Sequence, residues 1–244
     1  TPLFLSFVEP GRYQTVYQKK EINEPRVCSI LSFGCLLRSR PAMKIFFVLL
    51  FLSPAHCFLA IDSESAFIAV NTFEWLRSNY STYIEFLGYP SGKISEFATT
   101  AMLNALAAGF DRVDGYIIPC VNCPAKIAPA QQMNNVVNVM RRFNVPFNTV
   151  WIHVGPNSDW ASDQATNRQF LLDMITQARG IRANVGVFTD YNNWKTVMGS
   201  SWTGASKQPL WWKSVGLPNF DSYSKFGGWD NPTLRQYATT VTLP

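Results

Sequence analysis

A parallel β/α barrel is the fold the sequence predicts, and three observations point to it. From residue 58 onward, β-rich runs alternate with helical patterns five times, the order that builds a parallel sheet with crossover helices. No Gly-x-Gly-x-x-Gly and no Walker loop follows the first run, which disfavours the nucleotide-binding, doubly wound alternatives. The runs end in polar or aromatic residues, namely Asp62, Tyr89, His153 and Asp190. In β/α barrels the C-terminal strand ends form the functional face.

The elements follow in chain order. The first strand is expected at 58–62, apolar and closing on a carboxylate. A helix at 71–78 has Asn71 or Thr72 as its cap. The second strand is expected at 83–88, followed by a helix at 95–109 opened by Ser95 and stopped by Gly109. The third strand covers 113–118. A helix at 129–143 carries Met133, Val136, Val137, Val139 and Met140, and a fourth strand follows at 148–154. The clearest helix, at 163–180, spaces Phe170, Leu171, Met174, Ile175 and Ala178 three or four residues apart, which makes one apolar stripe. A fifth strand at 185–189, a short helix at 192–198 and last strands at 209–212 and 233–237 complete the order.

Composition narrows the function classes. Apolar residues make up 47% of the 244 and charged residues 15%, which excludes a chain disordered throughout. The net charge of +5 is local: residues 1–57 hold 7 Lys/Arg against 3 Asp/Glu, and residues 58–244 hold 14 against 13. No basic surface is left on the folded part, so nucleic acid is not an expected partner. Aromatic content is 14%, with 8 Trp, which suits either a large core or a groove for flat ligands such as sugar rings.

Residues 43–57 read as a secretory signal peptide. Lys44 is the charged start, the eight residues 45–52 form the apolar centre, and small residues surround Pro54. Eight apolar residues fall well short of the ~20 that a bilayer span needs. Residues 1–42, upstream of that signal, show no sustained period and are expected to be a disordered, non-native stretch; the mature domain is 58–244. Secreted or lysosomal placement follows, with no membrane contact after cleavage.

Within the mature part the cysteines are Cys120 and Cys123. Their spacing is compatible with half a zinc site, a redox pair or a local disulfide. His153 is the one histidine left to serve a metal, and Pro124 and Pro129 crowd the loop, so a local disulfide is favoured. No metal and no cofactor are expected.

Several segments together resemble one family. They are Ala60-Ile61-Asp62-Ser63, Leu87-Gly88-Tyr89, Ala105 to Phe110, Tyr116 to Cys123, Val150 to Val154, Gly186-Val187-Phe188-Thr189, Pro209-Leu210-Trp211-Trp212, Phe226-Gly227-Gly228-Trp229 and Leu234 to Ala238. In order and spacing they are similar to the nematode and amoeba lysozymes of glycoside hydrolase family 25. The resemblance implies a short, flattened, TIM-like barrel. It also implies a secreted monomeric muramidase that cleaves β-1,4 bonds of bacterial peptidoglycan, in digestion or innate defence.

It further implies an Asp at the end of the first strand, matched by Asp62, and an Asp-x-Glu at the end of the fourth. His153-Val154-Gly155 stands there instead. Glycoside hydrolysis uses two carboxyl groups, so the departure predicts weakened catalysis. Asp62 and His153 are the candidate catalytic residues, Gly155 occupies the place of the missing Glu, and His153 is read either as a proton-transfer group or as a cleft histidine without a task. Glu64, Asp159 and Asp190 are the other carboxylates that could reach the same face. Candidate sugar contacts are Tyr89, Tyr116, Asp190, Trp211 and Tyr237, with Trp151 leaning toward a packing role. The family continues past Gln236-Tyr237-Ala238 with another Cys and a last strand, so 239–244 reads as a truncated end. The functional expectation is a peptidoglycan-directed lysozyme of reduced activity; the alternative is an inactive homologue that binds glycan or signals in immunity.

Overall fold

The computed structural model describes residues 16–19, 58–63, 67–88, 93–95, 97–124, 126–155 and 160–238. Within them eight strands close into a barrel in chain order. They are β1 (Val16–Lys19), β2 (Phe58–Ser63), β3 (Thr82–Gly88), β4 (Arg112–Ile117), β5 (Thr149–His153), β6 (Asn184–Thr189), β7 (Leu210–Lys213) and β8 (Leu234–Gln236). Strands β2 to β8 are all parallel, while β1 runs antiparallel to both β2 and β8. Five helices cross over outside: α1 (Val70–Leu76), α2 (Ala98–Ala107), α3 (Pro129–Arg142), α4 (Gln164–Gly180) and α5 (Tyr191–Val197). The expected β/α barrel is therefore the observed fold.

Alternation along each strand splits the side chains into two layers. One set points inward: Ala60, Ile84, Phe86, Tyr116, Trp151, Phe188, Trp211 and Leu234 form a single buried cluster inside the barrel. The other set, including Ile61, Tyr83, Leu87, Val113, Val150, Ile152, Val185 and Leu210, packs under the helices with Met133, Val137, Leu171, Met174 and Trp194. The interior is filled by aromatic rings, so the backbone opposite them has to be bare. At Gly186 a Cβ would lie 2.3 Å from Trp151 Cζ3, and only glycine lets that indole lie across β6.

Asp114 ties the lower part of the interior together. It is fully buried, and its carboxylate accepts from Arg112 Nε (2.7 Å) and Arg112 Nη2 (2.8 Å). It also accepts from the Thr149 backbone N–H (3.2 Å) and from Trp151 Nε1 (3.0 Å). One buried anion thus holds the starts of β4 and β5 in register and aims the Trp151 ring across the barrel.

Several local expectations are corrected. Helix α1 starts after Ala69 with no side-chain cap, so neither Asn71 nor Thr72 caps it; Asn71 Oδ1 instead accepts the neighbouring Thr72 N–H at 2.9 Å. Ser95 does not cap α2, whose N-cap is Phe97. The Ser95 N–H is drawn to Leu87 O (3.0 Å), because the chain there still bridges to the end of β3 through Gly88 and Ile94. Asp163 does cap α4, accepting from the N–H groups of Ala165 and Thr166, and Gly109, at φ 92°, ends α2.

Residues 16–19 lie in a stretch where no strand period is visible, yet they form β1 between β2 and β8. Both neighbours present open edges, and backbone pairing needs no side-chain pattern. Residues 43–57, read from the sequence as a signal peptide, the remainder of 1–42 and residues 239–244 lie outside the described residues.

Asp114→Ala should lower unfolding free energy by about 3 kcal/mol in urea titration, since it strands the Arg112 charge and frees Trp151. Asp114→Asn, which keeps part of the hydrogen bonding, should lose less.

Candidate active site

Inward-facing residues at the C-terminal ends of the parallel strands define the mouth. On β2, Ala60 belongs to the interior cluster, so Asp62, two residues on, faces the same way; it is buried. On β5 the same step from Trp151 brings in His153, also buried. Gly155 follows. Asp62, His153 and Gly155 therefore top the same interior surface.

His153 rests on an aromatic column. Its ring lies 4.9 Å from that of Phe188, which stacks on Trp211 at 3.8 Å. Trp211 in turn meets Tyr116 edge-on at 6.0 Å and Trp151 at 5.8 Å. Burial, followed by the positive charge of Lys213, lowers the His153 pKa to about 3, so the imidazole is neutral at physiological pH.

The position of this ring also bears on the missing acid. A Cβ at Gly155 would lie 2.6 Å from His153 Nε2 and 2.7 Å from Cε1. The imidazole fills the space that any side chain at 155 would enter. The two departures from Asp-x-Glu are thus one steric unit: the ring at 153 requires hydrogen at 155.

The remaining candidates divide. Tyr116 and Trp211 reach the mouth only as its floor; both are buried in the interior cluster. Asp190 stands at the same end, half-buried, but its carboxylate caps α5. Oδ1 accepts the Asn193 N–H (2.9 Å) and Oδ2 the Asn193 side-chain amide (2.5 Å). Tyr237 falls on the outward parity after β8. Its phenol is raised by burial and then by Tyr80, a residue of the outer layer, so it is not gathered with Tyr116 and Trp211. Tyr89, Glu64 and Asp159 lie outside the described residues. Trp151 is an interior packing residue, as its indole bond to Asp114 requires.

Cys120 and Cys123 form the favoured disulfide just beyond β4. Gln132 on α3 clamps that loop: its side-chain oxygen accepts the Cys120 N–H (2.9 Å), and its amide donates to Cys120 O (2.7 Å) and Ile127 O (2.8 Å). Among the described residues no group of His, Cys, Asp or Glu is placed to hold a metal ion.

Three features escaped the sequence reading. Lys213 faces the mouth from β7, two residues after Trp211, a parity the sequence does contain. Phe67, Phe97 and Tyr191 are exposed at the loops and helix starts that follow β2, β3 and β6, on the barrel's C-terminal side. A third buried carboxylate, Glu85, lies behind the mouth on the helix side. It accepts from Tyr83 Oη and from Ser63 Oγ (2.9 Å), while Ser63 Oγ and Tyr83 Oη are 2.6 Å apart. Burial, then the Glu85 charge, pushes the Tyr83 phenol well above its usual range.

A closed β/α barrel with its polar residues at the C-terminal mouth has close counterparts among solved structures. It matches a muramidase from Trichobolus zukalii with TM-score 0.58 at 15% identity, over 72% of this chain and 84% of that one. It matches the bacterial lysozyme from Streptomyces coelicolor with TM-score 0.56 at 18% identity, over 75% and 87%. The fold is thus of the lysozyme β/α-barrel class. The chain belongs to the lysozyme-like protein 1 family, whose profile matches residues 54–237. It is 32% identical over 207 residues to lysozyme-like protein 5 of Caenorhabditis elegans, covering 83% of this chain and 95% of that protein. It is 31% identical over 197 residues to probable GH family 25 lysozyme 4 of Dictyostelium discoideum, covering 80% and 89%.

Gly155→Glu alone should destabilise the fold, and pairing it with His153→Ser should recover part of the loss. A double-mutant cycle by denaturant unfolding should give a coupling of about 1–3 kcal/mol. His153 is held uncharged in the fold but takes a proton near 6.5 when unfolded. Stability is therefore intact above pH 6.5 and declines as pH falls from there toward 3. Thermal melts across that window should show the decline, and His153→Gln should flatten it.

Proposed function

We propose that this protein acts on or binds bacterial peptidoglycan as a lysozyme-like member of glycoside hydrolase family 25, with hydrolysis strongly reduced. The observation that carries this reading is the imidazole of His153 seated over Gly155, on the same inward face of the barrel as Asp62. The family relationship supplies the substrate class. Among the described residues the mouth carries Asp62 and Asp190, and Asp190 is committed to capping α5, whereas glycoside cleavage uses two available carboxyl groups.

His153 is a poor stand-in for the lost acid. With a pKa of about 3 it carries no proton to donate at neutral pH, and for the same reason it is a weak base. A neutral imidazole also gives no electrostatic support to the positive charge that builds on the sugar ring during cleavage. Loss of general acid catalysis alone lowers rates by about 10²–10⁴. Asp62 is the residue on which any residual hydrolysis rests, and His153 acts as a space-filling cleft histidine.

Binding is better served than cleavage. Phe67, Phe97 and Tyr191 are exposed on the C-terminal side of the barrel, and aromatic rings so placed are suited to stacking on sugar rings. This favours the alternative of an inactive homologue that holds glycan. The local disulfide fits the secreted or lysosomal setting read from residues 43–57. No helix among the described residues is long and apolar enough to cross a membrane.

Two measurements test the reading. Turbidity of a Gram-positive cell-wall suspension should clear slowly or not at all, and any clearing should vanish with Asp62→Asn; rapid clearing that survives the substitution would sink the assignment of the mouth. Co-sedimentation with insoluble peptidoglycan should retain the protein, and Phe97→Ala with Tyr191→Ala should weaken retention. A chain that stays in the supernatant has no glycan role.

A further inference from the structure

We propose that Lys213 is the specificity-determining residue of the mouth and that it recognises a carboxylate carried by an N-acetylated glycan. The proposal rests on the reading of the mouth as glycan-directed and adds which glycans it prefers.

Placement comes first. Trp211 lies in the interior cluster and Trp212 in the outer layer, so Lys213 returns to the interior at the C-terminal end of β7. There it pairs in register with Gln236, and its charge is felt by His153 across the mouth. The lysines at 93, 126, 195, 207 and 225 are exposed, as solvated surface lysines are, whereas Lys213 is drawn half into the barrel.

Its pairing comes next. The described cations that leave open solvent have evident partners. Arg112 is taken by Asp114, Arg168 by Met198 O, and Arg235 by Ser214 O, Asn219 O and the face of Trp212. Among the described residues Lys213 makes no ion pair. Asp190, at the same end, is turned to Asn193 and does not serve it. His153 is uncharged and does not compete for an anion.

A partly desolvated ammonium above an aromatic floor attracts an anion more strongly than an exposed lysine does, because less water screens the pair. An ammonium is a compact point charge with three donors, which suits a single carboxylate. A neutral polymer of N-acetylglucosamine offers none. Peptidoglycan offers two kinds: the lactyl acid of a muramic residue without its peptide, and the carboxylates of the peptide stem. Lys213 therefore separates charged from neutral glycans of the same backbone, by attraction for one rather than exclusion of the other.

The experiment titrates the full chain, followed by tryptophan fluorescence and calorimetry, with three probes of equal length: chitotetraose, a peptide-free GlcNAc–MurNAc tetrasaccharide, and the same tetrasaccharide bearing stem peptides. The expected result is a preference of about tenfold for one or both charged probes over chitotetraose, shrinking as salt is raised. Lys213→Met and Lys213→Gln should abolish that preference while chitotetraose affinity stays within twofold or so of the parent. Lys213→Arg should keep most of it. Preference for the peptide-free probe identifies the lactyl acid as the target, and preference for the peptide-bearing probe identifies the stem. Equal binding of all three probes by the parent, or a preference that persists in both Lys213→Met and Lys213→Gln, overturns the proposal and leaves the glycan reading standing. Failure of every probe to bind overturns the glycan reading and this proposal with it. Thermal melts of the variants confirm that they fold.

Discussion

The interior of a small barrel is a single volume, and every inward-pointing residue takes a share of it. Eight short strands enclose that space here, and five aromatic rings from β3 to β7 nearly fill it. Once Trp151 lies across β6, residue 186 has no room for a side chain. Once Phe188 and Trp211 stack, the next inward position on β5 has a flat apolar seat beneath it. An imidazole fits that seat, and a charged carboxylate would be poorly solvated there. The character of the mouth is set from below by how the interior is packed.

Three buried carboxylates illustrate how differently one residue type is used. Asp114 is saturated by guanidinium, amide and indole donors and serves as an anchor. Glu85 sits among hydroxyls on the helix side, where Ser63 links it to the strand end that carries Asp62. Asp62 faces the mouth. Parity turns Asp62 and Asp114 inward and Glu85 outward, and position along the strand then puts Asp114 near the start of β4 and Asp62 near the end of β2.

Much of this was legible in the sequence. Strand–helix alternation pointed to the barrel, and strand spacing put residues 62 and 153 at the C-terminal ends of their strands, as the structure has them. The pairing of Asp62 with a damaged Asp-x-Glu position followed from a resemblance that the family relationship bears out. Aromatic roles were harder to read. Tyr116 and Trp211 stand near strand ends, as sugar-stacking residues do, but parity turns both into the barrel, and the exposed rings on that side belong to Phe67 in a loop and to Phe97 and Tyr191 at helix starts. The cap at Ser95 yielded to tertiary pairing at the end of β3, while α1 begins one residue before Asn71 with no side-chain cap. Asp190 was rightly placed near the mouth, but its carboxylate was claimed by its own helix, a commitment that Asp-x-x-Asn followed by a short helix does suggest.

The contact between His153 and the bare backbone at 155 has a historical consequence. Residue 155 cannot gain a side chain without crowding while the ring stands at 153, so the order of replacement matters. An acid regained at 155 meets the ring, and an acid regained at 153 arrives without its partner. Single replacements therefore have one sterically open order, 153 before 155, and one crowded order, 155 before 153.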